Sequence, residues 1–214
     1  MSSNRNVQIS IISGLFAITP DEHDTAALLR KVELVLQGGA RILQYRNKTA
    51  DAQLRLKQAE ALRGLTRKFA VPLIVNDDAE LARLVDADGV HLGSADGHVA
   101  TARAVLGRDK LIGVSCYNRL DLAREAVSVG ADYVAFGSFY ASPVKPDAVA
   151  AAPDLLRQAR DELAVPLVAI GGITAHNGAR LLEAGADALA VISAVFAAPD
   201  IRSAARQFSN LNFS

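Results

Sequence analysis

The sequence has 214 residues, half of them hydrophobic and 21% charged, so the chain can bury a sizeable core and belongs to the globular class. Lys and Arg together number 23, as do Asp and Glu, and this zero net charge argues against an extended nucleic-acid-binding surface. The single cysteine, Cys116, rules out an internal disulfide framework and fits a reducing compartment.

The apolar run at 7–19 has the composition of either a secretory signal or a first strand. Gln8, Ser10 and Ser13 interrupt it, and no small-residue cleavage site follows before Pro20. We therefore interpret it as the first strand. No stretch is long and apolar enough to span a membrane, so we expect no membrane partner and a cytoplasmic location.

Beyond this run, apolar segments alternate with segments of helical periodicity. Asp24 is expected to cap the first helix, and Gly38 with Gly39 to end it. A second strand leads into Gln44. Further strands are predicted at 71–76, 89–93, 111–115, 133–137, 165–170 and 188–192. Helices are predicted at 51–69, 97–106, 119–129 and 152–162, from a cap at Thr174, and in a last segment ending near Phe208.

About eight strands that are apolar on both faces, each followed by a helix, are typical of a parallel sheet covered by helices. Ala-Val-Pro-Leu occurs at 70 and again at 164, as in a repeated unit. The fold class predicted is α/β, a single-domain (β/α)8 TIM barrel over 1–214. The alternative, a doubly wound open sheet, requires a glycine fingerprint after the first strand, where Gly14 stands alone.

In such a barrel the carboxyl ends of the strands form the site. Gln44, Arg46 and Lys48 follow the second strand and alternate with Tyr45 and Asn47, so the three project to one side. Polar groups at the end of a buried strand need partners. Either nearby acids or an anionic ligand supplies them.

Glycine pairs and helix starts indicate where a phosphate binds. Gly171-Gly172 and Ile192-Ser193 follow strands seven and eight, the usual phosphate position of this fold. Glycine lets an oxyanion approach the backbone, and N–H groups at a helix start favour the charge. The alternative is that these are plain turn and cap residues.

Two acidic residues follow adjacent strands and predict a cation site. Asp77 comes after strand three and Asp96 shortly after strand four. Carboxylates brought together repel unless a cation joins them, and Mg²⁺ suits hard oxygen ligands of which few come from protein. His91 and Cys116 lack metal-ligand spacing and are expected to be packed core residues.

Arg46, Lys48 and Lys145 are expected to face the acidic pair across the barrel end. Three cations and a magnesium ion match the charge of a pyrophosphate. The residues thus imply two anion sites, one for a phosphate and one for a metal-bound diphosphate. That pattern suggests the joining of two phosphorylated molecules with pyrophosphate as leaving group.

The motifs resemble those of the thiamine phosphate synthase (thiamine-phosphate pyrophosphorylase) family, from about Leu15 to Phe196. The matching motifs, in order, are Gln44-x-Arg46-x-Lys48, Asn76-Asp77, Gly93-Ser94-Ala95-Asp96, Val114-Ser115, the loop Ser142 to Lys145, Ile170 to Ile173, and Ile192-Ser193. Each motif is weak alone, but seven in order at strand ends are specific.

The resemblance implies an enzyme, a transferase of thiamine biosynthesis, that joins hydroxymethyl aminopyrimidine diphosphate to a thiazole ethyl phosphate. It implies diphosphate contacts from the following residues: Gln44, Tyr45, Arg46, Asn47, Lys48, Asn76, Ser115 and Lys145. Of these, Arg46, Lys48, Ser115 and Lys145 would be catalytic. Thiazole phosphate contacts would come from Ser142, Pro143, Val144, Gly172, Ile192 and Ser193, and Mg²⁺ ligands from Asp77 and Asp96. Homo-oligomers are possible partners.

This sequence departs from the family pattern in three places. Pro20 stands where the family commonly has aspartate, Ser94 where glutamine is frequent, and Ser142-Pro143-Val144 replaces a Thr-Lys-Thr loop. Three rival functions are a thiazole phosphate isomerase, a non-catalytic regulator that binds a thiamine precursor, and another phosphate-binding barrel enzyme. The retained cations and acids argue against the first two, and the third requires a catalytic group inside the barrel.

Overall fold

The computed structural model describes residues 12–93, 99–141 and 150–213, and within them eight parallel strands close into a barrel in chain order. The strands are β1 (Gly14–Ile18), β2 (Ile42–Tyr45), β3 (Leu73–Asn76), β4 (Gly89–Leu92), β5 (Leu111–Tyr117), β6 (Tyr133–Phe136), β7 (Leu167–Ile170) and β8 (Ala188–Val191). The pairing of β1 with β8 completes the ring. The predicted (β/α)8 barrel is confirmed.

Helices cover the outside of this ring. They are α1 (Thr25–Gln37), α2 (Ala52–Lys68), α3 (Ala79–Leu84), α4 (Val99–Leu106), α5 (Leu120–Ser128), α6 (Pro153–Glu162), α7 (Ala179–Glu183), α8 (Ser193–Phe196) and α9 (Ile201–Ser209). Asp24 caps α1 as expected, its carboxylate accepting from the N–H groups of Ala26 and Ala27. No helix in the described ranges is long and apolar enough to cross a membrane.

Alternation along the strands divides the core into two layers. Outward-facing residues such as Leu43, Val75 and Val134 pack against the helices. Inward-facing residues such as Phe16 and Ile74 fill the barrel interior. Because the interior is packed with side chains, a substrate site must lie at an end of the barrel and not inside it. The carboxyl ends of the strands, hereafter the barrel mouth, carry the predicted polar residues.

The start of the seventh helix differs from the sequence expectation. Thr174 itself makes the hydrogen bonds of a cap: its Oγ1 accepts from the N–H of Asn177 at 3.3 Å, and its own N–H donates to Oδ1 of Asn177 at 2.8 Å. The residues after Thr174 form a turn in which the N–H groups of Asn177 and Gly178 donate to its carbonyl oxygen, and α7 begins only at Ala179.

Candidate active site

Two amide side chains meet inside the barrel mouth at the ends of β2 and β3. The Nε2 of Gln44 donates to Oδ1 of Asn76 over 3.1 Å, and Gln44 is buried. Gln44 lies on the inward face, since Ile42, two residues before it, belongs to the interior core. The two amides are thus held together on the side of the mouth where the cations were predicted.

Arg46 and Lys48 are held by residues that follow β1. The buried Thr19 hydroxyl accepts from the N–H of Arg46 and donates to the carbonyl oxygen of Arg46, each over 2.8 Å. Asp21 accepts from Nη1 of Arg46 at 3.1 Å and from the N–H of Lys48 at 2.7 Å. Asp21 therefore supplies a carboxylate one position beyond Pro20, where the family commonly has its aspartate.

Asp77 faces the same group of cations. It has a left-handed backbone with φ of 63°, and its N–H donates to the carbonyl of His91 at 2.8 Å. Its carboxylate accepts from Nδ2 of Asn76 at 2.6 Å and from the N–H of Gly93 at 3.3 Å. The Nζ of Lys48 lies 3.9 Å from Oδ2 of Asp77. A carboxylate and two cations therefore share one side of the mouth.

One described carboxylate, that of Asp77, could serve as a ligand for magnesium. Among the described residues no three His, Cys, Asp or Glu side chains gather into a complete cage. Mg²⁺ uses few protein ligands and takes the others from water and phosphate oxygens. The half-exposed carboxylate of Asp77 suits that role. Asp96, the second predicted ligand, lies outside the described residues.

Tyr45 and Asn47 line the same cavity as Lys48, Asn76 and Asp77, and their side chains also bond to neighbouring elements. The hydroxyl of Tyr45 donates to Oε1 of Gln58 at 2.9 Å, away from the barrel interior, and burial raises its pKa to about 12. The Nδ2 of Asn47 donates to the carbonyl of Glu22 at 2.7 Å and to Oε1 of Gln58 at 3.1 Å. These bonds fix both side chains against α2, and substrate contact by Tyr45 or Asn47 stays a prediction.

Ser115 lies at the mouth on the inward face of β5 and is half-buried. Its Oγ is 2.9 Å from Nε2 of His91, whose Nδ1 is 3.1 Å from the hydroxyl of Tyr133. His91 is a hydrogen-bonded interior residue, as expected, and burial lowers its pKa to about 4. Cys116 faces the helices and is buried, which raises its pKa to about 12 and makes it a packing residue.

The glycines after β7 form a tight loop beside the end of β8. Gly171 and Gly172 have φ of 105° and 61°, a region that favours glycine. A Cβ on Gly172 would lie 2.5 Å from the carbonyl oxygen of Ala141 and 2.6 Å from that of Tyr140. The backbone of the preceding loop therefore comes close only because residue 172 has no side chain.

The second half of the predicted phosphate position is the start of α8. Ile192 precedes that helix and Ser193 begins it. The register of Ile170 with Ala190 brings this helix start and the glycine loop to the ends of neighbouring strands. The predicted residues Ser142, Pro143, Val144 and Lys145, like the departure at Ser94, lie outside the described residues.

Sequence reasoning missed three residues that hold the site. Thr19 and Asp21 follow β1. Their position at the carboxyl end of a strand could have identified them as site residues. Tyr133 is the first residue of β6, so its position in the sequence places it at the end of the strand away from the mouth. No local sequence pattern indicates that it contacts the site. Its role depends on pairings between strands that only the structure supplies.

A closed parallel barrel with amides, cations and a carboxylate on one side of its mouth and a glycine loop on another is typical of barrel enzymes that bind phosphorylated substrates. The family model described as thiamine monophosphate synthase matches residues 15–195. The chain therefore belongs to the thiamine monophosphate synthase family, and it is a transferase enzyme of thiamine biosynthesis.

Individual relatives agree with this assignment. The chain is 58% identical to the thiamine-phosphate synthase of Methylobacillus flagellatus, over 94% of this chain and 95% of the relative. It is 54% identical to that of Thiobacillus denitrificans, over 92% and 94%. A solved thiamine phosphate pyrophosphorylase from Pyrococcus furiosus superimposes with a TM-score of 0.84 at 34% identity, covering 96% of this chain and 97% of that one.

Proposed function

We propose that the enzyme joins hydroxymethyl aminopyrimidine diphosphate to thiazole ethyl phosphate, giving thiamine phosphate and pyrophosphate. One observation carries the proposal: Arg46 and Lys48 are anchored by Asp21 on the same side of the mouth as Asp77. Cations beside a metal-binding carboxylate suit a leaving diphosphate, whose charge grows as its bond to carbon breaks.

The diphosphate side uses residues from β2, β3 and β5. Arg46 and Lys48 bind the diphosphate oxygens by charge-assisted hydrogen bonds. The amide pair of Gln44 and Asn76 orients the pyrimidine end, and Ser115 donates to an anionic oxygen. Lys145 would complete the cation set.

Asp77 and Asp96 would hold a magnesium ion, which when bound supplies positive charge to the diphosphate oxygens. Asp77 is oriented for this by Asn76 and Gly93, so its carboxylate stays directed toward the mouth. The protein thus pre-arranges the charge that the departing group needs.

The reaction needs no protein nucleophile. The bond between the pyrimidine methylene carbon and the diphosphate oxygen breaks, and its electron pair leaves on the diphosphate. The pyrimidine amino group supports the methylene cation, and the thiazole nitrogen then forms the new carbon–nitrogen bond. Cys116, the only thiol of the chain, is buried with a raised pKa and takes no part.

The thiazole phosphate would bind on the other side of the mouth, at Gly172, Ile192 and Ser193, with Ser142, Pro143 and Val144. The positive φ of Gly171 and Gly172, a conformation found in anion-binding turns, supports an anion site on this side. We also propose a cytoplasmic location, which suits the single unpaired and buried cysteine.

Pyrophosphate release in the presence of both substrates and Mg²⁺ tests the proposal. We expect release only when the thiazole phosphate is also present, with thiamine phosphate formed in equal amount. Release without thiamine phosphate, or binding of thiamine precursors without turnover, would favour the isomerase-like or regulatory alternative instead.

A further inference from the structure

A network of three polar side chains runs from the barrel interior to its mouth. The Tyr133 hydroxyl lies 3.1 Å from Nδ1 of His91, and Nε2 of His91 lies 2.9 Å from Oγ of Ser115. Tyr133 is fully buried and His91 nearly so, whereas Ser115 is half-buried at the mouth. A deep hydroxyl is thereby linked to one that a substrate can touch.

A glycine makes this network possible. Strand register places His91 beside Gly113 and Gly113 beside Tyr133, so the three lie level on β4, β5 and β6. A Cβ on Gly113 would lie 2.0 Å from Cζ of Tyr133 and 2.4 Å from its hydroxyl oxygen. The tyrosine ring therefore occupies the space of the missing side chain, and it crosses β5 to reach His91.

The surroundings keep both deep groups neutral. Tyr133 packs in the interior core, with its ring centroid 6.0 Å from that of Phe16 and 5.6 Å from that of His91. Among the described residues, the ring nitrogens of His91 meet two hydroxyl groups and no carboxylate. The neutral imidazole has one N–H donor and one acceptor nitrogen, so each nitrogen takes one of these two roles.

The apolar surroundings select one direction for the hydrogen bonds. Within the described part of the chain, the hydroxyl of Tyr133 has its recorded partner in His91. If Nδ1 carried the imidazole proton, the proton of that hydroxyl would face apolar walls, at the cost of a buried unpaired donor. Tyr133 therefore donates to Nδ1, and Nε2–H donates to Ser115.

We propose that Tyr133 and His91 are positioning residues that fix the Ser115 hydroxyl as a donor toward the mouth, where it binds an anionic oxygen of the diphosphate substrate. Ser115 accepts from His91 on its inner side, so its own proton is free to point outward. The inference rests on the proposed function only in the identity of that oxygen. The direction of the network stands on the barrel geometry alone.

A double-mutant cycle tests the network in catalysis. Tyr133→Phe keeps the ring but removes the donor to Nδ1, so Nδ1 can take the proton and Ser115 turns inward to donate to Nε2. We expect about a tenfold loss of kcat/KM for the diphosphate substrate, the scale of one hydrogen bond to a charged group. Ser115→Ala should lose at least as much, and adding Tyr133→Phe to it should cost nothing further.

Tyr117→Phe is the matched control, because it removes one hydroxyl from an exposed tyrosine at the end of β5, the strand that carries Ser115. It should leave kcat and KM unchanged. Losses that multiply in the double variant would contradict the proposal, since a tyrosine that only supports the fold acts independently of Ser115.

The tautomer of His91 gives a readout independent of turnover. Nitrogen NMR of the wild-type protein at neutral pH should show the proton on Nε2, and Tyr133→Phe should shift population to the Nδ1 form. A wild-type proton on Nδ1 would overturn the network. An enzyme that releases no pyrophosphate but has the expected tautomer would overturn the proposed function and not the network.

Discussion

The carboxylate of Asp21 holds two consecutive parts of the cation loop at once, accepting from Nη1 of Arg46 at 3.1 Å and from the N–H of Lys48 at 2.7 Å. One bond depends on charge and the other only on an oxygen acceptor. Asp21 therefore both partners a cation and fixes the backbone from which the next cation projects.

Substitution at Asp21 separates these two effects. Asp21→Asn keeps an oxygen for the N–H of Lys48, and we expect the KM for the diphosphate substrate to stay within about twofold of wild type. Asp21→Ala frees the loop, and the same KM should rise about tenfold, because ordering Arg46 and Lys48 must then be achieved on binding. Steady-state kinetics would check this. Equal effects of both variants would show that charge and not position matters.

Asp77→Asn should remove the metal dependence of turnover. The amide is a weaker ligand for Mg²⁺, and we expect kcat/KM to fall at least about a hundredfold, the scale of a displaced charge at a leaving group. Titration of Mg²⁺ in the pyrophosphate assay, and of Mn²⁺ binding with the diphosphate present, measures it. Removing the metal with a chelator should abolish wild-type turnover reversibly.

The neighbouring Asp78 provides the control. Its carboxylate caps α3 by accepting from the N–H of Leu81, and asparagine caps a helix equally well. Asp78→Asn should therefore retain both activity and metal affinity. Unchanged Mg²⁺ dependence in Asp77→Asn would contradict the metal assignment.

The fold could be predicted because each strand is a short apolar run bounded by polar residues. Strand β4 begins at Gly89 and β8 at Ala188, as the runs indicate. Thr174 makes cap hydrogen bonds with Asn177 as predicted, but a turn lies between it and Ala179, where α7 begins, and the sequence does not distinguish that turn from a first helical turn.

The candidate site was predictable where contiguous residues carry it and unpredictable where strands bring residues together. Gln44 faces Asn76 as the alternation implies. The same alternation directs the side chains of Tyr45 and Asn47 toward α2. Treating the five residues from Gln44 to Lys48 as one motif does not reveal this difference. Tyr133 reaches His91 only through the register of three strands and the missing side chain of Gly113.

Gly172→Ala should weaken thiazole phosphate binding selectively. The added Cβ meets two carbonyl oxygens within 2.6 Å, so the loop must move, and a left-handed alanine costs about 1–2 kcal/mol. We expect the KM for the thiazole phosphate to rise about tenfold or more while that for the diphosphate changes little.

Gly107→Ala is the control for backbone strain. Residue 107 also has a positive φ, of 81°, but a Cβ added there would meet no other atom within 4 Å. Thermal unfolding should show a loss for both variants, and substrate kinetics a loss only for Gly172→Ala. A matching loss of thiazole phosphate binding in Gly107→Ala would refute the assignment of Gly172 to that site.

The buried imidazole of His91 should make stability depend on pH. Its pKa falls from an ordinary 6.5 to about 4 through burial. Between these values the unfolded chain binds more protons than the folded one, so the free energy of unfolding rises with pH. The stabilisation is complete above pH 6.5 and is lost as pH falls through 4, a difference of about 3 kcal/mol.

His91→Gln should flatten this dependence, because glutamine does not titrate yet can bond both hydroxyls. Urea unfolding at several pH values from 7 down to 4 measures the slope. His176→Gln, at an exposed position, is the control and should retain the wild-type slope. If wild type and His91→Gln lose stability in parallel as the pH falls, then His91 takes up a proton in the folded protein without cost. That outcome would contradict the predicted pH dependence.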